Sequence, residues 1–229
     1  MPNAPDAAAP RRARTAVAVM AKAPRPGQVK TRLVPPLTPE QAADLYRCCL
    51  LDTLDTLRRV RGAEPVVAYA PADASGDMAQ LAPDLPRLPQ GEGDLGARML
   101  RVVDALLEQG FEAAVLVGGD APTLPAAYVE QAAAHLADGA DLVLGPADDG
   151  GYYLIGLCAR RPFLFEGMPW STGAVLAETR RRADASGLRT ALLPAWFDVD
   201  TAADLERLRG SVGGEAGRRT QAFLARTPL

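Results

Sequence analysis

Apolar residues along this chain fall into two alternating patterns. Short, almost wholly apolar runs rich in β-branched residues predict buried parallel strands, as in "TAVAVMA" (15–21), "PVVAYA" (65–70) and "AAVLVGGD" (113–120). "DLVLGPA" (141–147) and "GYYLIGL" (151–157) predict two more strands around a polar turn, and "TALLPA" (190–195) a late one. Between them the apolar positions take helical spacing. In "LTPEQAADLYRCCLLDTLDTLRRV" (37–60), Thr38 suits an N-cap, Pro39 the first helical position and Gln41 a capping box. Leu45, Cys49, Leu54 and Leu57 share a face there. "DLGARMLRVVDALLEQG" (94–110) predicts a helix with Leu95, Met99, Val102, Val103 and Leu106 inward and Gly110 as its stop. Helices are also expected over 124–139 and 173–183, a weak one around 77–81, and a short final one in "DTAADLERLRG" (200–210), capped by Thr201.

This alternation predicts a single α/β domain, a mostly parallel sheet with helices on both faces, over residues 15–209. Residues 1–14, rich in Pro, Ala and Arg, read as a disordered leader, and the Gly-rich start of 210–229 as a linker with a docked or frayed tail.

Composition narrows the partners. The chain has 229 residues, 48% hydrophobic and 23% charged, which suits one globular core. A net charge of −3 argues against nucleic acid as a partner, and no apolar run approaches a membrane span. The cysteines are Cys48, Cys49 and Cys158, with no CxxC pair, so neither a structural disulfide nor a zinc site is expected and a reducing cytoplasm is the simplest setting. His135, the only histidine, lies among alanines on an expected helix and reads as a surface residue; Ser-His-Asp and Cys-His mechanisms are thereby excluded.

Of the 25 basic residues only Lys22 and Lys30 are lysine, and both lie in "AKAPRPGQVKTRL" (21–33), directly after the first strand. In open α/β sheets ligands bind outside the carboxyl ends of the strands. There the chain places Lys22, Gly27, Lys30 and Arg32; then Asp120 in "GGDAPTL", Asp149 in "ADDGG", and Asp198 and Asp200 in "WFDVDTAADL". Cations and carboxylates converging on one rim suit a polyphosphate with a divalent ion, since Mg2+ takes hard oxygen ligands from one or two carboxylates and completes its shell with phosphates and water. Lysine, a compact charge on a flexible stem, suits phosphate better there than a planar guanidinium. Read structurally instead, Lys22 and Lys30 are solvated loop charges, and Asp120 and Asp200 are carboxylates at helix N-termini.

Two lookalikes fail. "GQVKTR" echoes a P-loop, but Val29 stands where that motif needs Gly. "GEGDLG" (91–96) matches GxGxxG, yet it follows no convincing strand, comes late in the chain and puts Glu92 and Asp94 where a pyrophosphate would approach. Gly91, Gly93, Gly96 and Arg98 read better as a loop that lets a base or ribose lie against the backbone, or as a plain helix entry. Asp149, Gly150, Gly151 and Tyr152, with Trp170, Ser171 and Thr172 of "MPWSTG", suit either an acceptor site for a hydroxylated or phosphorylated molecule or, structurally, a tight turn and a helix cap.

Taken as an ordered set, "MAKAPRPGQVKTRL", "LYRCCLLDTL", "GEGDLGARM", "LVGGDAPTL", "GPADDGGYYLIGL", "PWST" and "DVDTAADL" resemble the nucleotide-diphospho-sugar transferase superfamily with its GT-A, Rossmann-like fold. The match is to a bacterial glycosyltransferase-like family, some members of which are linked to arsenosugar biosynthesis; the chain is also similar to 2-phospho-L-lactate guanylyltransferases. The resemblance implies a nucleotide-phosphate grip by Ala21, Lys22, Gly27, Lys30 and Arg32. It implies a Mg2+ (or Mn2+) site at Asp120 with Asp200 or Asp198. Many GT-A glycosyltransferases carry Asp-x-Asp at the central strand, whereas "GGDAPTL" has one Asp, as nucleotidyltransferases do. The expected activity is therefore nucleotidyl transfer from an NTP to a small acceptor with release of pyrophosphate, with Lys22, Lys30 and Arg32 stabilising phosphate charge. Glycosyl transfer from an NDP-sugar is the alternative, and a non-catalytic nucleotide-binding protein the reading from another class.

Overall fold

A computed structural model describes residues 14–210 and 217–227. Strand β1 (Thr15–Lys22) lies at the centre of a seven-stranded sheet with β2 (Ala63–Ala70) parallel on one side and β4 (Ala113–Gly118) parallel on the other. The short β3 (Arg87–Pro89) extends the sheet beyond β2; beyond β4 come β6 (Tyr152–Leu157), β5 (Leu142–Pro146) and β7 (Thr190–Leu192). Only β6 runs antiparallel to its neighbours, because a tight polar turn returns the chain directly from β5. The strand order reverses direction between β1 and β4, and the loops leaving these two strands open the crevice where ligands bind in such sheets.

Alternation along the strands builds two cores. Val17, Val19 and Ala21 of β1 face α1 (Pro39–Arg59), α2 (Ser75–Leu81) and α4 (Ala126–Ala137). Ala16 and Ala18 face α3 (Leu95–Glu108) and α5 (Val175–Ala185). α1 starts as its sequence predicts: Thr38 caps the Gln41 N–H, Gln41 reaches back to the Thr38 N–H, and Pro39 opens the helix.

α1 has a second buried stripe. Ala42, Leu45 and Cys49 pack in a third cluster with Leu33, Leu37, Phe197, Val199, α6 (Ala202–Gly210) and α7 (Arg218–Arg226). α1 is thus apolar toward the sheet and toward this outer layer. α6 is therefore not the last helix: α7 follows and docks on α1, where buried Asp52 accepts hydrogen bonds from the N–H groups of Arg219 (3.1 Å) and Thr220 (2.9 Å) at its amino end. Of the expected leader, residues 1–13 lie outside the described residues, as does the start of the expected tail at 211–216.

Three further expectations change. "GEGDLG" does follow a strand: β3 ends at Pro89, with only Gln90 before Gly91, but it carries only three residues, too few to show alternation, and arises by pairing with β2. Leu95 is not inward: as the first residue of α3, after the Asp94 N-cap, it stays 37% exposed and lines the main cavity. Ser171 does not cap α5; Ala174 holds that position. Among the described residues no helix is long and apolar enough to cross a membrane.

Candidate active site

The loop after β1 ends in a short 3-10 turn, Thr31–Leu33, entered by Lys30 in the left-handed region at φ 49° and ψ 37°. That conformation is rare for a residue with a side chain and costs on the order of 1–3 kcal/mol. Two contacts hold it. Leu33, fully buried, anchors the turn in the third cluster. The Lys30 Nζ, on a side chain only 4% exposed, donates to Asp120 Oδ2 at 2.6 Å and to Asp200 Oδ1 at 2.7 Å.

Both carboxylates arrive from elsewhere. Asp120 follows β4. Asp198 and Asp200 lie on an extended segment whose alternate residues, Phe197 and Val199, are buried in the third cluster beside Leu33. The Val199 N–H donates to the Asp120 carbonyl at 3.0 Å, tying that segment to the end of β4. The Asp200 and Thr201 N–H groups both donate to Asp204 Oδ2, at 3.0 and 2.7 Å, so the first turn of α6 fixes the backbone that carries Asp200. One apolar cluster therefore positions the lysine turn and the aspartate segment together.

Charge at the site is unequal. Burial alone would pull the Lys30 ammonium down, but the Asp120 and Asp200 charges and hydrogen bonds outweigh it and raise it well above the ordinary lysine range. Burial, followed by the Asp120 charge, pushes the Asp198 carboxyl well above the usual carboxylate range; Lys30 opposes this, while Asp200 and Asp149 add to it. Asp198 Oδ1 is buried with no hydrogen-bond partner. Gly118 leaves room beside it: a Cβ there would stand 2.7 Å from Asp120 Oδ1 and 3.7 Å from Asp198 Oδ1.

These oxygens are hard donors, and an orphaned buried carboxylate oxygen next to two more carboxylates fits a divalent cation. No group of three His, Cys, Asp or Glu side chains is gathered into a ready cage among the described residues. The Lys30 ammonium bridges Asp120 and Asp200 instead, so the residues fit a cation completed by phosphate and water rather than one enclosed by protein.

A cavity of about 570 Å3 gathers much of the expected site: Lys22, Lys30, Arg32, Asp198 and Asp200 on one part, and Asp149, Gly151, Tyr152, Trp170, Ser171 and Thr172 on another. Lys22 and Arg32 are exposed and form no ion pair among the described residues, unlike Lys30. The second group is held by backbone contact. The Leu176 N–H donates to the Gly150 carbonyl at 2.9 Å, and Gly150, at φ +84°, would carry a Cβ 2.7 Å from the Gly173 Cα. Only glycine lets the two loops meet so closely.

A second cavity, of about 270 Å3, contains Lys22 again with Gly91, Gly93 and Arg98. Gly96 lines neither: it packs beneath Trp170, whose ring would stand 2.8 Å from a Cβ there, so its lack of a side chain serves that ring. Ala21 is fully buried in β1, and Gly27 makes a left-handed turn at φ +74° in the lysine loop.

Sequence reasoning missed three supports. Tyr46, buried on α1, accepts the Lys22 N–H at 2.9 Å through its hydroxyl. Gln90, 2% exposed, gives its amide hydrogens to the Ala21 and Ala68 carbonyls at 3.0 and 2.8 Å, joining β1 to β2. Asp204 could have been found from its Thr-x-x-Asp spacing with Thr201, which resembles a capping box; Tyr46 and Gln90 carried no such signal.

The chain is similar in sequence to 3-phospho-D-glycerate guanylyltransferase from Phenylobacterium zucineum (strain HLK1), with 34% identity over 208 residues, 86% of this chain and 89% of the relative. A crystal structure of a protein assigned as a nucleotide-diphospho-sugar transferase, from Desulfovibrio desulfuricans G20, matches with a TM-score of 0.86 and 34% identity over 93% of this chain and 94% of that one. The manganese complex of Rv0371C from Mycobacterium tuberculosis H37Rv shares the fold at a TM-score of 0.55 and 19% identity, over 86% of this chain and 99% of that one. A family profile described as "Uncharacterized protein conserved in bacteria (DUF2064)" matches residues 53–172, a span that holds Asp120 and the Asp149 loop and leaves out the lysine loop. The expected superfamily and fold hold, and the chain is a transferase of the nucleotide-diphospho-sugar transferase fold that belongs to the DUF2064 family.

Proposed function

We propose that this transferase moves a nucleotidyl group, guanylyl before any other, from an NTP to a small phosphorylated acid, with a divalent cation (magnesium or manganese) as cofactor. The observation that carries the proposal is the Lys30 ammonium held between Asp120 and Asp200 in a cavity also lined by the exposed cations Lys22 and Arg32, which form no ion pair among the described residues. The guanylyl assignment draws on the 34% identical guanylyltransferase. Glycosyl transfer is less supported: "GGDAPTL" offers one aspartate, without the Asp-x-Asp common at that strand end.

In the reaction an acceptor oxygen attacks the α-phosphorus, the bond from that phosphorus to the bridging oxygen breaks, and pyrophosphate leaves. Lys22 and Arg32, exposed on the cavity wall, would neutralise the phosphate oxygens, where charge develops. Lys30 fixes Asp120 and Asp200 at the distance set by its two hydrogen bonds. Asp120, Asp198 and Asp200 would hold the cation, which when bound supplies charge neutralisation between nucleotide and acceptor. Asp149, Tyr152, Trp170, Ser171 and Thr172, which line the same cavity, are assigned to the acceptor. The chemistry asks the protein mainly for position and field. We assign the enzyme to the cytoplasm, where its three free thiols stay reduced.

The test is pyrophosphate release over the four NTPs with small phospho-acids, 3-phosphoglycerate among them, with magnesium and with chelator. Metal-dependent release with GTP and a phospho-acid is expected. Release of a nucleoside diphosphate from an NDP-sugar, with none of pyrophosphate from any NTP, would overturn the reading in favour of glycosyl transfer.

A further inference from the structure

The second cavity shares Lys22 with the first, so a ligand that passes this residue occupies both. Ala23, Ala70, Pro71 and Ala72 give it small apolar walls, and Glu92 and Arg98 give it charge. Its loop is fixed. Arg101 donates to the carbonyls of Gln90 at 2.5 Å and Glu92 at 3.0 Å. Arg98 donates to Gln90 Oε1 at 3.2 Å, and Gln90 is itself spent on β1 and β2. The Glu92 carboxylate, by contrast, has neither a hydrogen bond nor an ion pair among the described residues.

The geometry points to Glu92 as the residue that selects guanine, with the base of the nucleotide in this second cavity and its phosphates beyond Lys22 in the first. This rests on the nucleotidyl-transfer reading above. An ionised carboxylate only accepts hydrogen bonds, and does so through two oxygens. Guanine presents two neighbouring donors, N1–H and N2–H2, to such a pair. Adenine and cytosine each set a ring acceptor beside their amino group, and uracil flanks its one donor with carbonyls, so each would turn an acceptor toward the carboxylate. The negative charge that disqualifies residues 91–96 as a pyrophosphate cradle is the charge that suits this base edge. Apolar alanine and proline walls fit the flat faces of a purine.

The experiment compares GTP with ITP, which lacks only the N2 amino group, and with ATP, in wild-type protein, Glu92→Ala and Glu92→Gln. Wild type is expected to favour GTP over ITP in kcat/KM by about tenfold or more, the usual worth of one well-placed base contact. In both variants that ratio should fall toward one, chiefly through a rise in the KM for GTP, because Glu92 meets the base and not the phosphates. Glu92→Gln keeps the size of the side chain but turns an amide donor toward a donor edge, so it guards against a packing explanation. An unchanged GTP-to-ITP ratio in the variants, or a wild-type preference for ATP, overturns the assignment. If no NTP yields pyrophosphate, the nucleotidyl-transfer reading fails separately. The base assignment is then decided by thermal shift with GDP, IDP and ADP: loss of GDP selectivity on substituting Glu92 supports it, and retained selectivity refutes it.

Discussion

Lys30 and Asp200 stand 170 positions apart in the chain, yet the ammonium of one donates to the carboxylate of the other at 2.7 Å. The bond exists because Leu33 and Val199, close neighbours of the two residues in sequence, are buried in the same apolar cluster against α1. Packing that has no chemistry of its own brings the charged groups together.

Removing the ammonium should expose what it does. Lys30→Ala is expected to lower turnover by on the order of 10²–10³-fold, as for loss of one preorganised charge at a phosphoryl site. In chelator it should also destabilise the fold by about 1–3 kcal/mol, less than a fully buried pair would, since both carboxylates keep some exposure. Magnesium should raise the Tm of the variant more than that of wild type, because Asp120 and Asp200 are then freed. Wild-type turnover in the variant would remove Lys30 from the reaction.

Asp198 should behave in the opposite sense in chelator. Its buried carboxyl sits among like charges. Asp198→Asn is therefore expected to stabilise the metal-free fold by about 1 kcal/mol while lowering metal-dependent activity at least tenfold, a magnitude of roughly the size that one cation ligand contributes. Urea denaturation in chelator checks the first part, and a magnesium titration of activity the second. A destabilised metal-free variant would contradict the account of this residue.

Gly150→Ala tests the acceptor loops. The added Cβ would meet the backbone of Gly173, and alanine is strained at φ +84°. A loss of about 2–3 kcal/mol is expected, together with a raised acceptor KM and little change in the KM for nucleotide. Equal rises in both KM values would mean that the loops serve the whole cavity.

Asp52 tests the outer layer. It is 4% exposed and accepts from Arg219 and Thr220 at the start of α7. Asp52→Ala should cost about 2–4 kcal/mol by stranding these donors, and Asp52→Asn less. Because α7 packs in the cluster that seats Val199, kcat should fall as well, which a structure-neutral change would not produce.

Cys49 offers a pH test. Burial pushes its thiol up to about 12 from an ordinary value of 9.0. In the fold it stays protonated where the unfolded chain ionises. Its contribution to stability is therefore complete below pH 9.0 and is lost as pH climbs from there toward 12. At pH 8 a thiol reagent should titrate fewer than the three cysteines in native protein, and all three in urea. Full reaction of the native protein would place Cys49 within reach of solvent.

The sequence by itself determined the strands and most helices, because β-branched runs, capping residues and helical spacing act over a few neighbours. Thr38, Pro39 and Gln41 are the clearest instance. It also marked the strand ends where Lys22 and Asp120 lie, since an α/β sheet carries its polar ligands there, whereas Asp200 comes to the same rim on an extended segment well past β7. Tertiary structure alone decided the rest. β3 exists only by pairing with β2, and α7 is held by Asp52, a residue on a helix far away in sequence. Leu95 and Leu106 look alike in periodicity, but one opens onto a cavity and the other is buried. Above all, the two lysines differ: Lys30 is buried between carboxylates and Lys22 stands exposed between two cavities. Local sequence sets where a charge leaves the backbone, whereas its partner depends on which distant segments the cores pack beside it.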